Sequence, residues 1–205
     1  VRINGIGTAW HIEDVAAVSV LPVAGAIIPK AELGEPLEKL VAGLGSPAIA
    51  LIETARGLKD ACEIAAMSGI VRLAFGSIDF SAELGLAHTR EALLYARSVL
   101  VLASRLAGKA PPIDGVTTSV DDVDLVRNDA RYARDLGFGG KLAIHPRQID
   151  AIYEGFAPDD NEIVWAQKVL ATNDGAVAVD GAMVDEPVRI RARSILARHS
   201  RGQRH

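Results

Sequence analysis

An α/β fold organised around a parallel sheet is what the 205-residue sequence predicts, and three observations carry that prediction. Short apolar runs rich in β-branched residues alternate with longer amphipathic ones. The apolar runs are nearly continuous, without a regular polar face. Each ends in a polar or charged residue followed by Gly, Pro or Thr, the punctuation of a βα series. Strands without a polar face need cover on both sides, which helices on a parallel sheet supply.

The strand candidates are Val1 to Asn4, Val23 to Pro29, Ala48 to Glu53, Val71 to Gly76, Pro112 to Val116 and Lys141 to His145. Between them, helices are predicted over His11 to Val18, Leu58 to Met67, Thr89 to Leu106 and Asp121 to Leu136. The third has Thr89 as its expected N-cap, apolar Leu93, Ala96, Leu100 and Ala103 at helical spacing, and Gly108 as its stop. Ser119 is the expected cap of the fourth, which carries Val123, Val126 and Ala130 inward and ends at Gly137. From about Pro158 the βα rhythm stops. A helix over Asn161 to Leu170 then leads through the Gly-rich stretch NDGAVAVDGAMVDEP into a last helix, read as an appended C-terminal element. Six strands in such a series leave two architectures open, a doubly wound sheet or a (β/α)8 barrel short of two units. Val1 already lies inside a strand candidate, so the expectation is that the chain starts partway through a domain.

Composition removes several function classes. A net charge of -4 argues against nucleic acid as a partner, although Arg189, Arg191, Arg193, Arg198, Arg201 and Arg204 gather near the end and are expected on a solvated helix and frayed tail. No uncharged apolar run reaches the roughly 18 residues of a membrane helix. One cysteine, Cys62, and a first stretch without signal-peptide features lead to the expectation of a cytoplasmic protein. Cys62 and Met67 are expected to be packing residues.

Chemistry in a parallel α/β protein collects at the carboxyl ends of the strands. There the sequence places Arg2 and Asn4, then Lys30, then Glu53 in ALIETARG, Asp79 in LAFGSIDF, and His145. Two carboxylates at corresponding points of consecutive strands would suit an octahedral magnesium site completed by water and substrate oxygens. They would equally well cap helices or pair with Arg56 and Arg72. Arg2, permanently charged, is suited to a carboxylate or an enolate oxygen, or is a surface arginine. His145 reads as a hydrogen-bonded rim histidine more readily than as a base. Trp10, after a Gly-rich turn, would line a pocket or cover a sheet edge.

Together, VRIN, IIPKAE, ALIETARG, LAFGSIDF, LLYARS, IDGV, LGFGGKLAIHPRQI and DGAMVDEPV, in this order, resemble the citrate lyase β-subunit-like branch of the HpcH/HpaI aldolase superfamily over nearly the whole chain. The resemblance implies a (β/α)8 TIM barrel lacking its first two βα units here, with residues 1–157 forming units three to eight and residues 158–205 a C-terminal lid and oligomerisation extension. It implies magnesium on Glu53 and Asp79, substrate contact by Arg2 and Glu53, and an acid/base role for Asp185 of the MVD motif, acting in a neighbouring subunit's site. A homotrimer or dimer of trimers follows from the same resemblance. The implied reaction is cleavage or formation of a 3-hydroxyacyl-CoA such as a malyl-, citramalyl- or citryl-thioester, giving a 2-oxo acid and an acyl-CoA through an enolate. The alternatives are an aldolase on free 2-oxo acids and a carrier-protein-dependent citrate lyase β subunit without activity alone. No motif identifies residues that contact CoA.

Overall fold

A computed structural model of the chain describes residues 1–172, 177–179 and 182–202. Residues 173–176 and 180–181 of the Gly-rich stretch lie outside the described residues, as do Arg204 and the side chain of Arg201. After an extended start at Val1–Ile3 come α1 (His11–Val20), β1 (Ala26–Ile28), α2 (Glu35–Gly43), β2 (Ala48–Ile52), α3 (Ala55–Lys59), α4 (Ala61–Ala66), β3 (Ile70–Phe75) and α5 (Ser77–Leu84). There follow α6 (Leu94–Leu106), β4 (Ile113–Asp114), α7 (Val123–Leu136), β5 (Gly140–Lys141), a 3-10 turn at Pro146–Gln148, and α8 (Ile149–Phe156). The chain closes with α9 (Asp160–Ala171), β6 (Val177–Val179), β7 (Ala182–Val184) and α10 (Glu186–Gly202).

Strands β1 to β5 form one parallel sheet in sequential order, and Arg2 adds a parallel bridge to Ile27 at the β1 edge. The fold class is therefore α/β with a parallel sheet, but the described sheet is open: no pairing joins β5 to the first stretch. The first predicted strand shrinks to the Arg2 bridge and the last to Gly140–Lys141.

The sheet is as apolar as its strands foretell. Ala48, Ala50 and Ile52 of β2 and Ile70, Leu73, Ala74 and Phe75 of β3 are fully buried. Leu37 and Leu40 of α2, Ile64 of α4 and Leu100 of α6 cover them in one core. Each such aliphatic side chain contributes about 1.5–3 kcal/mol by leaving water.

Several local expectations change. Helix α6 begins at Leu94, and Thr89 instead accepts from the Ala92 amide in the turns before it. The N-cap of α7 is Asp122, whose carboxylate accepts from Leu125 N–H at 2.9 Å, while Ser119 caps only the preceding turn by accepting from Asp122 N–H. The stretch from Leu58 to Met67 is broken at Asp60 into α3 and α4. Cys62 faces solvent because Ala61, Ile64 and Ala65 form the inner face of α4, whereas Met67 does pack against the core.

The C-terminal elements have a separate small core of Ala166, Val169, Val184, Ala192 and Ile195. An Asp159–Glu162 capping box starts α9. Arg189, expected in solvent, is instead buried, and its guanidinium donates to the carbonyls of Thr172 and Val169 at the end of α9. Arg134 of α7 ties this unit to the sheet layer through Glu162 at 2.9 Å. Among the described residues no helix is long and apolar enough to cross a membrane.

Candidate active site

Glu53 follows the last residue of β2 and is 4% exposed, an unusual place for a carboxylate. Its Oε1 accepts a 2.8 Å hydrogen bond from the Lys30 amide, delivered from the turn after β1. Lys30 is the one non-glycine residue at positive φ (47°) among the described residues, so the chain accepts a rarely used backbone conformation at this site. On the other side Gly76 closes β3 against Glu53. A Cβ at Gly76 would stand 2.4 Å from both Cβ and Oε2 of Glu53, so only glycine leaves the carboxylate its place.

Asp79 sits in the first turn of α5, exposed, just past the strand end where it was expected. Its charge acts on Glu53, as do those of Arg2 and Lys30. Burial is the largest influence and raises the Glu53 carboxyl above the usual range. The Lys30 amide opposes it, Asp79 raises it further, and the positive charges of Lys30 and Arg2 pull it back, with a net upward shift. The structure thus brings Arg2, Glu53 and Asp79 into one electrostatic neighbourhood at the carboxyl ends of neighbouring strands.

Neither arginine considered as a competing partner neutralises the pair. Arg56 lies 3.8 Å from Glu32, and Arg72 donates to the Pro111 carbonyl. Two oxygen-only side chains, one fixed and one accessible, suit a small hard dication that takes its remaining ligands from water and substrate. They do not form a cage by themselves: among the described residues no three His, Cys, Asp or Glu side chains gather around one point.

Asp185 is not among the charges acting on Glu53. It follows β7, exposed, and its Oδ1 accepts from Val188 N–H at the start of α10. His145 is likewise spent locally, its Nδ1 accepting from Arg147 N–H as it caps the 3-10 turn. Trp10 is 62% exposed and precedes α1 without covering the sheet.

A second cluster went unforeseen. Asp114, at the end of β4 and 1% exposed, meets Arg97 Nε at 2.8 Å and Lys141 Nζ at 3.4 Å, and Lys141 also donates to the Gly115 carbonyl at 2.6 Å. Burial lowers the Lys141 ammonium, with Asp114 and Asp129 opposing it. Nearby, Asp129 accepts from Arg90 at 2.7 Å and Thr117 at 2.8 Å. Burial alone would raise its carboxyl, but these two bonds and the Lys141 and Arg90 charges bring it below the usual range. His88 Nε2 lies 2.9 Å from Ser77 Oγ beside this cluster. The signal available in the sequence was a set of polar residues at strand ends and inside an apolar helix face, in IDGV, GGKLAIHP and LLYARS.

Residues 1–146 match the sequence profile of HpcH/HpaI aldolase/citrate lyase. A citrate lyase subunit beta-like protein of Deinococcus radiodurans is 33% identical over 211 residues, which are 96% of this chain and 74% of that one. A (3S)-malyl-CoA thioesterase of Cereibacter sphaeroides is 32% identical over 97% of this chain and 73% of its own. Among solved structures, the Mycobacterium tuberculosis protein CitE in complex with magnesium, acetoacetate and coenzyme A superposes with a TM-score of 0.86 at 33% identity, covering 97% of this chain and 77% of that one.

Proposed function

The chain belongs to the HpcH/HpaI aldolase/citrate lyase family, which places it among carbon–carbon lyases, and on that premise we propose that it cleaves or forms a 3-hydroxyacyl-CoA thioester with magnesium held by Glu53 and Asp79. The observation that carries the reading is a buried and an exposed carboxylate acting on one another at one rim, with no protein cation bonded to either among the described residues. When bound, magnesium would polarise the substrate oxygen that becomes the 2-oxo acid's carbonyl. The Lys30 amide fixes Oε1 of Glu53 and leaves Oε2 free to ligate. Arg2, exposed at the same rim, would pair with the substrate carboxylate and with negative charge developing on the thioester. Asp185 would exchange a proton with the carbon next to the thioester carbonyl. Since among the described residues Asp185 caps α10 and makes no bond to Glu53, we assign it to the site of a second subunit, within a trimer or dimer of trimers.

In this reading the parallel strands are successive staves of a (β/α)8 barrel, residues 1–157 supply its wall, and residues 158–205 form the lid. The magnesium and coenzyme A bound by the M. tuberculosis relative and the malyl-CoA activity named for the C. sphaeroides relative support a thioester substrate over a free oxo acid. We place the enzyme in the cytoplasm, where acyl-CoA thioesters are available.

The purified protein incubated with magnesium and malyl-CoA or citramalyl-CoA is expected to release acyl-CoA and a 2-oxo acid. Turnover confined to free 2-oxo aldols would establish the aldolase alternative, and activity only with an acyl-carrier protein would establish a citrate lyase β subunit. Mixing Asp185→Asn with Arg2→Ala is expected to restore part of the activity that each lacks. No recovery in the mixture would place the lid on its own subunit.

A further inference from the structure

We infer that His88 is a positioning residue that, through Ser77, fixes the elbow between β3 and α5 and so holds Asp79 toward Glu53; this rests on the metal reading of that pair. Helix α5 starts at Gly76 without a side-chain cap, so the usual means of fixing a first turn is missing. Tertiary contacts replace it. Gly76 N–H donates to the Ile52 carbonyl at 2.9 Å, and its bare Cα lies against Glu53. Ser77, 1% exposed, rests on Gly115, where a Cβ would come within 2.2 Å of the Ser77 hydroxyl. His88 Nε2 then closes over the same hydroxyl at 2.9 Å from a loop that returns after α5. Asp79 follows Ser77 by two residues on the first turn of the same helix.

The charges of the Arg97–Asp114–Lys141 cluster act on the ring. Burial, then the Arg97 and Lys141 charges, lower His88 below the ordinary histidine value, against Asp129 and Asp114, so the ring favours its neutral form. Without His88 the buried Ser77 hydroxyl loses its partner, and the elbow is free to turn and satisfy it elsewhere. A metal site tolerates only about 0.2 Å of error in its ligand distances, so a small rotation at Ser77 is read at Asp79.

Titration of the full chain with Mn²⁺, the free ion being followed by its electron paramagnetic resonance signal, tests this without recourse to turnover. The unsubstituted protein is expected to bind one ion and Asp79→Asn none. His88→Ala and Ser77→Ala should each weaken binding about tenfold, within the range seen when groups supporting a ligand are removed. The double variant should be no weaker than either, since both break one linkage. His88→Gln, whose amide nitrogen reaches the place of Nε2, should recover most of the affinity. Unchanged affinity in Ser77→Ala or in a folded His88→Ala, or losses that add in the double variant, would overturn the inference alone. An unsubstituted chain that binds no Mn²⁺ would overturn the metal reading and this inference with it.

Discussion

Two buried acids at the rim of one sheet are treated in opposite ways. Asp114, closing β4, is met by Arg97 on one oxygen and Lys141 on the other. Glu53, just past β2 and almost as deeply buried, is given one backbone amide and an acidic neighbour, and the Lys30 and Arg2 charges act on it without an ion pair among the described residues. Removing a charge from water is costly unless the protein pairs it. The Asp114 node meets that cost internally, with a cation on each carboxylate oxygen. The Glu53–Asp79 corner remains electrostatically unfinished, a state expected where a ligand supplies the missing charge. How an acid is compensated therefore separates the structural node from the chemical one where burial alone does not.

The largest effect should come from the unfinished corner. Glu53→Gln or Asp79→Asn is expected to remove magnesium-dependent turnover, a loss well beyond the hundredfold typical of supporting groups, while circular dichroism shows an unchanged fold. Near-normal rates in either variant would dissolve the contrast. The paired node should respond the other way: Asp114→Ala leaves Arg97 and Lys141 buried without their anion and should cost about 3–5 kcal/mol in a urea unfolding experiment. A midpoint unmoved by that substitution would show that the node is not structural.

The smallest effect is one of pH, at the seam between the two regions. His88 is held below its ordinary value, so its neutral form stabilises the fold fully above about pH 6.5, where the unfolded ring also loses its proton. That contribution fades as pH falls toward the depressed folded value. The Tm drop between about pH 7.5 and pH 5.5 should therefore be slightly larger in the unsubstituted chain than in His88→Gln. Equal drops would sharpen the assignment of acid sensitivity to the carboxylates instead.

Strand existence and parallel character were legible because an apolar run covered on both faces is written into consecutive residues, as in Ala48–Ile52, whereas the sequential strand order was not, since a doubly wound sheet and a barrel both fitted the same series. The positions of Glu53 and Asp79 at strand ends were legible for the same reason, since an acid that closes such a run marks the rim. Helix starts were less so: Thr89 and Ser119 have the right chemistry, but Asp122 sits where the turn of the chain needs a cap. Helix α5 escaped notice because its SIDFSAEL stretch is short, and Phe80 packs edge-on against Phe75 rather than in a long periodic face.

By itself the sequence determined the parallel α/β layering, the family resemblance and which acids stand at the rim, because each is encoded by neighbours along the chain. Only the tertiary structure decided that Arg97 and Lys141 would neutralise Asp114 while Glu53 would have Asp79 as an acidic neighbour. Those partners lie 17 and 27 residues from Asp114, and the pairing depends on where strand ends and loops converge. Charge compensation is a property of that convergence, so it became readable only once the sheet had been folded.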